Sequence, residues 1–313
     1  MMTTAGRMLA LSSLAIALGT TPVLAADPVA VITETRPGNG QIGVRLSGRS
    51  EWQPAQPLLA LRPGDQVRAT GDARAVVVLT GGGSTHTVTA ASSPLTVEAP
   101  ATATSGERAQ VVVARVTSFL LGQQRETTYR SLSVRSARQP PLIVAPRSTR
   151  VLPDRLVFDW RGSDLARYTV RVIGPRGLVW QQADVPRAPL AYPSVAPPLE
   201  PGARYRWELE APGHPPARAE FEVLASADAV RVREALTLLG GYPPNTAALM
   251  RAAYHCSEGL YAEARRELLL GITADSEEPA FHQLLGHVYE QTGLRDLAAE
   301  ALDEADFLAR GRP

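Results

Sequence analysis

Residues 61–79 read LRPGDQVRATGDARAVVVL, and this stretch decides how the first part of the chain is built. Pro63 fixes its own φ and Gly64 accepts a positive one, so the pair presets a tight turn. Val67 and the run Ala75 to Leu79 supply two β-prone segments on either side of a second turn at Gly71 and Asp72. That pattern predicts a hairpin. Working outward, short apolar segments alternate with turns: Val29–Thr33, Ile42–Leu46, Val67–Thr70, Ala75–Leu79, Thr85–Thr89 and Leu95–Glu98 are the expected strands of a compact sandwich or barrel. Trp52 falls between the second and third.

A leucine, then Gly64-Asp65, then Thr70-Gly71, an apolar strand and the glycines Gly81, Gly82 and Gly83 together resemble the FecR domain. Gly43 and Val44 match the glycine and valine that open its second segment, and the agreement spans roughly 60 residues of 26–99. The resemblance implies a small all-β module of bacterial envelope proteins. Such modules occur in iron-siderophore signalling proteins that relay an outer-membrane signal to a sigma factor through an inner-membrane helix. They also occur in exported multidomain proteins beside wall-binding or repeat domains, and this chain is similar to the second group.

At 313 residues the chain is longer than one core ordinarily organises, so two or three domains are expected. A formal net charge of +1 points to no polyanion, and no basic helix or aromatic-basic sheet motif suggests nucleic acid. All 32 basic residues are Arg, a bias that fits either the base composition of the source or an Arg-selected anion surface. Residues 1–25 read as a secretory signal: Arg7 in a short basic start, an apolar run from Met8 to Leu18, and Val23-Leu24-Ala25 before the cut. The run is shorter than the roughly 18 to 20 residues a membrane span needs, and no later stretch reaches that length. Cys256 is the only cysteine, so no intrachain disulfide forms and no lipid-accepting cysteine follows the signal. The expectation is a periplasmic, non-lipidated protein with no transmembrane segment in the mature chain.

Residues 100–139 form a connector. Within it Ala109, Val112, Val113, Val116, Phe119 and Leu120 recur at three- and four-residue intervals, which predicts an amphipathic helix ending near Gly122, expected to pack on the preceding β-module. Ser131 to Arg138 returns to strand-compatible text. Pro140-Pro141 marks a boundary, and 140–225 alternates with period two: Tyr168, Val170 and Val172 share one face, as do Tyr205, Trp207 and Leu209. The phrase from Leu199 through Pro201, Gly202 and Tyr205 to Trp207 resembles the proline-glycine turn and tyrosine-bearing strand of fibronectin type III modules, implying an immunoglobulin-like β-sandwich. Trp160, Trp180, Tyr192 and Trp207 fit either its core or a sugar-stacking surface.

Residues 226–313 change texture. Prolines thin out, apolar residues take helical spacing, and the segment repeats with a period of 34: Gly259 with Gly293, Leu260 with Leu294, Ala264 with Ala298, Leu268 with Leu302. Leu285, Gly286, Tyr289, Gly293, Ala298, Leu302 and Ala305 resemble the signature positions of tetratricopeptide repeats, and an extra helix from Asp228 to Leu239 is expected before them. The fold class is thus multidomain, β then α, in three independently packed units. By that resemblance the concave side, which in the family holds peptides, presents Thr246, Leu249, Ala253 and Cys256, then Ala280, Gln283, His287 and Glu290; the alternative is that this surface only packs against the sandwich. Residues 227–313 hold 8 Arg against 14 acidic residues, a net −6 that leaves +7 on the rest; either the acidic residues simply solvate helix faces, or the two parts attract each other or steer separate partners.

Catalytic constellations are hard to assemble from this sequence. His282 and His287 are five apart and do not share a helix face, and His255 and Cys256 point to different sides. Gly81-Gly82-Gly83 lacks the Lys and helix of a phosphate loop. The expectation is no enzyme, no metal and no cofactor. The leading reading is an envelope adaptor or scaffold whose helical repeats bind an envelope protein or peptide; the alternative is a peptidoglycan- or glycan-binding protein, and a FecR-type signal relay stands behind both.

Overall fold

The computed structural model describes residues 27–80, 83–99, 107–122 and 140–310. The expected export signal, Gly81-Gly82 and the polar text of 131–138 lie outside the described residues. Strands come first and helices last, as the change of texture at 226 demands.

Eight short strands make the first module: β1 Ala30–Arg36, β2 Ile42–Arg45, β3 Gln53–Pro54, β4 Ala60–Leu61, β5 Gln66–Ala69, β6 Arg74–Leu79, β7 Thr85–Val88 and β8 Leu95–Thr96. They form two four-stranded antiparallel sheets, β4-β1-β6-β7 and β3-β2-β5-β8. Ala30, Ile32, Val44, Leu61, Val67, Ala75 and Val77 pack between them.

The predicted hairpin is not one. Strand β5 pairs with β2 and β8, and β6 pairs with β1 and β7, so the turn at Gly71-Asp72 carries the chain from one sheet to the other. Its partners are in the opposite turn, not across a ladder: Gly71 has φ +60° and sits against Gly40, where an added Cβ would lie 1.7 Å from the Thr70 carbonyl oxygen. The Asp72 carboxylate accepts the Asn39 backbone N–H at 2.5 Å. Two glycines therefore let two turns touch. The other turn is pinned by Asp65, whose buried carboxylate accepts the backbone N–H groups of Ser47 and Arg62, each at 2.7 Å.

Strand β6 is apolar without alternation because both of its faces are covered. Ala75 and Val77 face the sister sheet, while Val78 joins Val31 in a second cluster shared with the helices.

The second module holds β9 Leu142–Ala145, β10 Thr149–Val151, β11 Val157–Arg161, β12 Tyr168–Gly174, β13 Gly177–Val185, β14 Leu190–Ala191, β15 Arg204–Glu210 and β16 Ala217–Val223. Its sheets run β14-β11-β9 and β10-β16-β15-β12-β13, with only β10 and β16 parallel. The period-two faces of Tyr168, Val170, Val172, Trp207 and Leu209 meet Phe158 and Trp160 in one core. Tyr205 Oη accepts the Glu200 backbone N–H at 2.8 Å, fixing the Pro201-Gly202 corner, and the Trp207 indole donates to the Pro146 carbonyl at 2.7 Å.

The helices are α1 Glu107–Gly122, α2 Ser226–Leu238, α3 Pro244–Ser257, α4 Tyr261–Ala274, α5 Pro279–Gln291 and α6 Arg295–Ala309. A glycine lets a neighbouring side chain close in at two different helix contacts, α5 against α6 within the second hairpin and α4 against α5 between the hairpins. A Cβ on Gly286 would lie 2.7 Å from Leu302 Cγ, and one on Gly271 would lie 2.8 Å from the Phe281 ring.

The units are not independently packed, contrary to expectation. One apolar cluster runs from Val31, Leu58 and Val78 of the first module through Val113, Val116 and Leu120 of α1 to Val144 and Leu152 of the second module and the buried faces of α2 to α6. Helix α1 takes its principal contact from α3 and only a lesser one from β1, which also corrects its expected docking. Two hairpins are too few to bury their own stacking faces; α1 and β1 complete the burial.

Candidate functional site

Strand β1 crosses the N-termini of α3 and α5, and that crossing places everything else. Helix α3 begins after Pro243, which offers no side chain to cap it. Glu34 does so instead: its Oε1 accepts the Thr246 backbone N–H at 3.0 Å and the Thr246 hydroxyl at 2.5 Å, while the Thr33 and Thr246 hydroxyls lie 3.1 Å apart. Glu278 caps α5, accepting from Ala280 N–H, and accepts from Thr35 N–H as well, at 3.3 Å each. Burial pushes the Glu278 carboxyl up to about 8 against the pull of the Ala280 and Thr35 N–H groups, with nearby Glu34 adding to the rise and Arg36 opposing it. Arg36 pairs with Asp275 and lies 3.8 Å from Glu278.

Charge separation along the chain is spent inside the molecule. Arg36, Arg115, Arg150 and Arg161 of the positive front pair with Asp275, Glu258, Asp228 and Glu300 of the negative tail. Arg265 of α4 returns the contact to Asp159 at 2.7 Å.

This seam divides the predicted concave face in two. Thr246, Leu249, Ala253, Cys256 and Ala280 are buried: the first is bonded to Glu34, the others belong to the cluster that contains α1. The surface expected to hold a partner peptide is there covered by the chain's own β1 and α1. Gln283, His287 and Glu290 are only partly buried, and all three line a cleft.

The cleft has a volume of about 1500 Å³ and lies between the outer face of sheet β3-β2-β5-β8 and the end face formed by α5 and α6. Its first wall carries Trp52, Gln53, Gln56 and Arg68; its second carries Gln283, His287, Glu290, Leu302, Asp303 and Asp306. Trp52 lies over Gly43, where an added Cβ would come within 3.4 Å of the ring. The guanidinium of Arg68 sits 4.3 Å and that of Arg45 4.9 Å from the ring centroid. Gly43, Arg45 and Arg68 share one face of the sheet because Gly43 pairs with Arg68 and Arg45 stands two residues along. Phe119 at the end of α1 meets His287 edge-on at 5.4 Å. Desolvation holds the His287 imidazole down near 4, so it is neutral and adds no charge to the cleft at pH 7.

Other chemistry-bearing groups do not converge. His255 is buried beside three arginines, and burial first, then the charges of Arg266, Arg251 and Arg155, hold it near 3. Burial pushes the Cys256 thiol up, which leaves it an inert core group. Among the described residues no group of three or more His, Cys, Asp or Glu is arranged to hold a metal, and no helix is long and apolar enough to cross a membrane. Trp160 and Trp207 are core residues, whereas Trp180 and Tyr192 are half-buried and meet edge-on at 5.3 Å.

The chain matches no protein-family model and no curated protein. The cleft was missed in the sequence because its first wall brings Trp52 beside Arg68 through the pairing of β2 with β5, more than twenty residues apart. One signal of its second wall was present. Moving back 34 residues from Gln283, His287, Glu290, Asp303 and Asp306 gives Leu249, Ala253, Cys256, Leu269 and Ile272, so an apolar stacking face in the first hairpin becomes polar in the second.

Proposed function

We propose that this chain is a non-enzymatic scaffold of the bacterial envelope, exported to the periplasm, which holds a segment of a partner protein in the cleft between its first β-module and its last helical hairpin. The observation that carries it is the cleft itself: a wide groove of mixed polarity bounded by Gln283, His287 and Glu290 of the repeat face and by Trp52 and Arg68 of the β-module. In this reading the first module is of the FecR type, the second of the fibronectin type III type and the hairpins of the tetratricopeptide type. Supporting it are the turn pinned by Asp65, the Tyr205 corner with the strand order of the second module, and the Gly286–Leu302 approach at the family's register. Burial of the other half of the concave face by α1 and β1 directs the partner to the cleft.

A photocrosslinking residue in place of Gln283, in intact cells, tests the reading. A discrete adduct at Gln283 that is absent from the same residue at Leu165, and lost when Gln56→Trp, at an exposed position on the opposite wall, narrows the cleft, is the expected result. No adduct at Gln283 in cells producing the protein counts against it. The half-buried Trp180–Tyr192 pair favours a second reading, a wall-glycan contact. Retention of the full mature chain on isolated wall sacculi, lost on Trp180→Ala, is the outcome that would carry that one.

A further inference from the structure

The two walls of the cleft differ in charge, and each is built in a way that tells what it meets. On the β-module, Arg68 makes no ion pair with any described residue, and Arg45 bonds only the Gln66 side chain. Both guanidiniums are nevertheless held in place, because each stacks on the Trp52 ring, and Gly43 lets that ring approach the sheet. Ordering them over the ring has already cost their rotamer freedom, so an anion that docks here loses less on binding. The same stacking covers the indole with cations. What this wall presents to a ligand is therefore guanidinium N–H groups, not an open aromatic face for a neutral sugar.

The opposite wall is an end face that has exchanged apolar stacking residues for polar ones. In the first hairpin Leu249, Ala253, Cys256, Leu269 and Ile272 pack into the common core. Their counterparts one repeat later are Gln283, His287, Glu290, Asp303 and Asp306. A terminal repeat with a polar outer face does not stack a further hairpin, and an amphipathic helix laid on it would leave its apolar stripe against carboxylates. Asp303 is exposed and has no partner among the described residues, while Asp306 reaches only Arg310, at 3.6 Å. This wall suits a cation and hydrogen-bonding groups.

We infer that the cleft takes an extended polypeptide segment of mixed charge, with a carboxylate side chain on Arg68 where it stacks on Trp52 and a basic side chain on Asp303 of α6. The inference rests on the scaffold reading and names the chemistry of its partner. Gln53, Gln56 and Gln283, on both walls, offer amide donors and acceptors to the backbone of such a segment.

Fluorescence anisotropy with three labelled peptides of equal length tests it on the full mature chain: a Gly-Ser backbone carrying alternating Asp and Arg, one carrying Asp alone and one carrying Arg alone. The mixed peptide is expected to bind most tightly and to weaken with added salt. Arg68→Gln and Asp303→Asn should each lower its affinity about fivefold, the scale of one exposed charge pair, with unchanged melting, and Arg68→Lys should recover part of the loss. Equal binding of all three peptides, binding of none, or indifference to both substitutions overturns the inference. So does binding of the mixed peptide only after residues 123–139 are replaced by a Gly-Ser linker of the same length, which would make that part of the chain the occupant. A partner crosslinked at Gln283 without charge selectivity removes this inference alone; absence of the crosslink removes the scaffold reading beneath it.

Discussion

Glu34 on β1 caps helix α3 from 212 residues away, through its contact with Thr246. The carboxylate satisfies a backbone N–H at the start of a helix whose own Pro243 has no capping side chain, and it does so within a seam sealed from water. A β-module and a helical body are thus joined by the bond that each helix start requires in any case.

Truncating that carboxylate leaves the Thr246 N–H buried without an acceptor and the Thr246 hydroxyl with only the Thr33 oxygen to turn to. Glu34→Ala should lower unfolding free energy by about 1 to 3 kcal/mol, whereas Glu34→Gln keeps an acceptor oxygen and should cost less. Urea unfolding gives the totals, and faster hydrogen exchange at Thr246 in the alanine variant locates the effect. Wild-type exchange at Thr246 in Glu34→Ala would show that the cap is not formed.

The pH dependence of stability below about pH 8 is dominated by four groups that desolvation shifts, three of them buried and His287 partly so. Burial raises the carboxyls of Glu278 to about 8 and Glu263 to about 7, the latter against the Leu152 N–H that it accepts at 2.9 Å. A raised acid contributes stability that is complete below its unfolded value and is lost as pH climbs through the folded one. Burial lowers His255 to about 3 and His287 to about 4, and a depressed histidine contributes stability that is present above its unfolded value and lost on acidification. Between about pH 4.5 and 6.5 the two trends oppose each other; above that range the acids act alone. Stability should therefore hold level to about pH 6.5 and fall between there and pH 8, at about 1.4 kcal/mol per pH unit for each proton lost. Glu278→Gln, which keeps an acceptor for Thr35 and Ala280, should remove the upper part of that fall. Unfolding curves at stepped pH that show no decline above 6.5 in the parent chain would refute the assignment.

How much of this was written in the sequence depends on the range of the contacts involved. Period-two faces such as Tyr168, Val170 and Val172 fixed their own burial, and the 34-residue period marked the two helical hairpins, but that Gly286 meets Leu302 is seen only in the structure. The arch at Gly71-Asp72 was misread as a hairpin because turn chemistry reports that the chain reverses, not which sheet it enters next. Ala75 to Val78 did carry a clue: an unbroken apolar run wants cover on both faces, and the second cover is the helical body. The strands at 53–54, 60–61 and 190–191 are two residues each, too short for any periodicity. Burial of Leu249, Ala253 and Cys256 was legible from their apolar character, but that α1 and β1 would do the covering was not.

The glycine at 286 has a role that two substitutions separate. An added Cβ there would stand 2.7 Å from Leu302 Cγ and 2.8 Å from its Cδ2, on a partly exposed side chain that can turn aside, and 3.4 Å from the Ala298 carbonyl. Gly286→Ala gains helix propensity and pushes Leu302 aside, so the two effects should nearly cancel, within about 1 kcal/mol. Gly286→Leu has no such room and should cost about 1 to 3 kcal/mol by overpacking, read as a lower melting temperature and loss of protection along α5 and α6. Equal melting of the leucine variant and the parent would mean that the two helices do not approach as closely as described.

Helix α1 is held by a carboxylate as well as by its apolar stripe. Glu258, nearly buried, accepts from Arg231 at 2.7 Å and lies 2.8 Å from Arg115 of α1. Burial alone would raise its carboxyl; the Arg231 hydrogen bond and the charges of Arg115 and Arg231 outweigh that and hold it below the ordinary range. Arg115→Gln leaves Arg231 to neutralise the carboxylate and, since Arg115 is half exposed, should cost no more than about 1 kcal/mol. Arg115→Gln with Arg231→Gln strands a buried charge and should cost more than the two single changes added together. Because the carboxylate must then take up a proton to stay buried, stability of the double variant should improve on lowering the pH from 7 toward 5 relative to the parent chain. Additive costs at pH 7 and the same pH profile as the parent would show that Glu258 is solvated and does not tie α1 to α2 and α3.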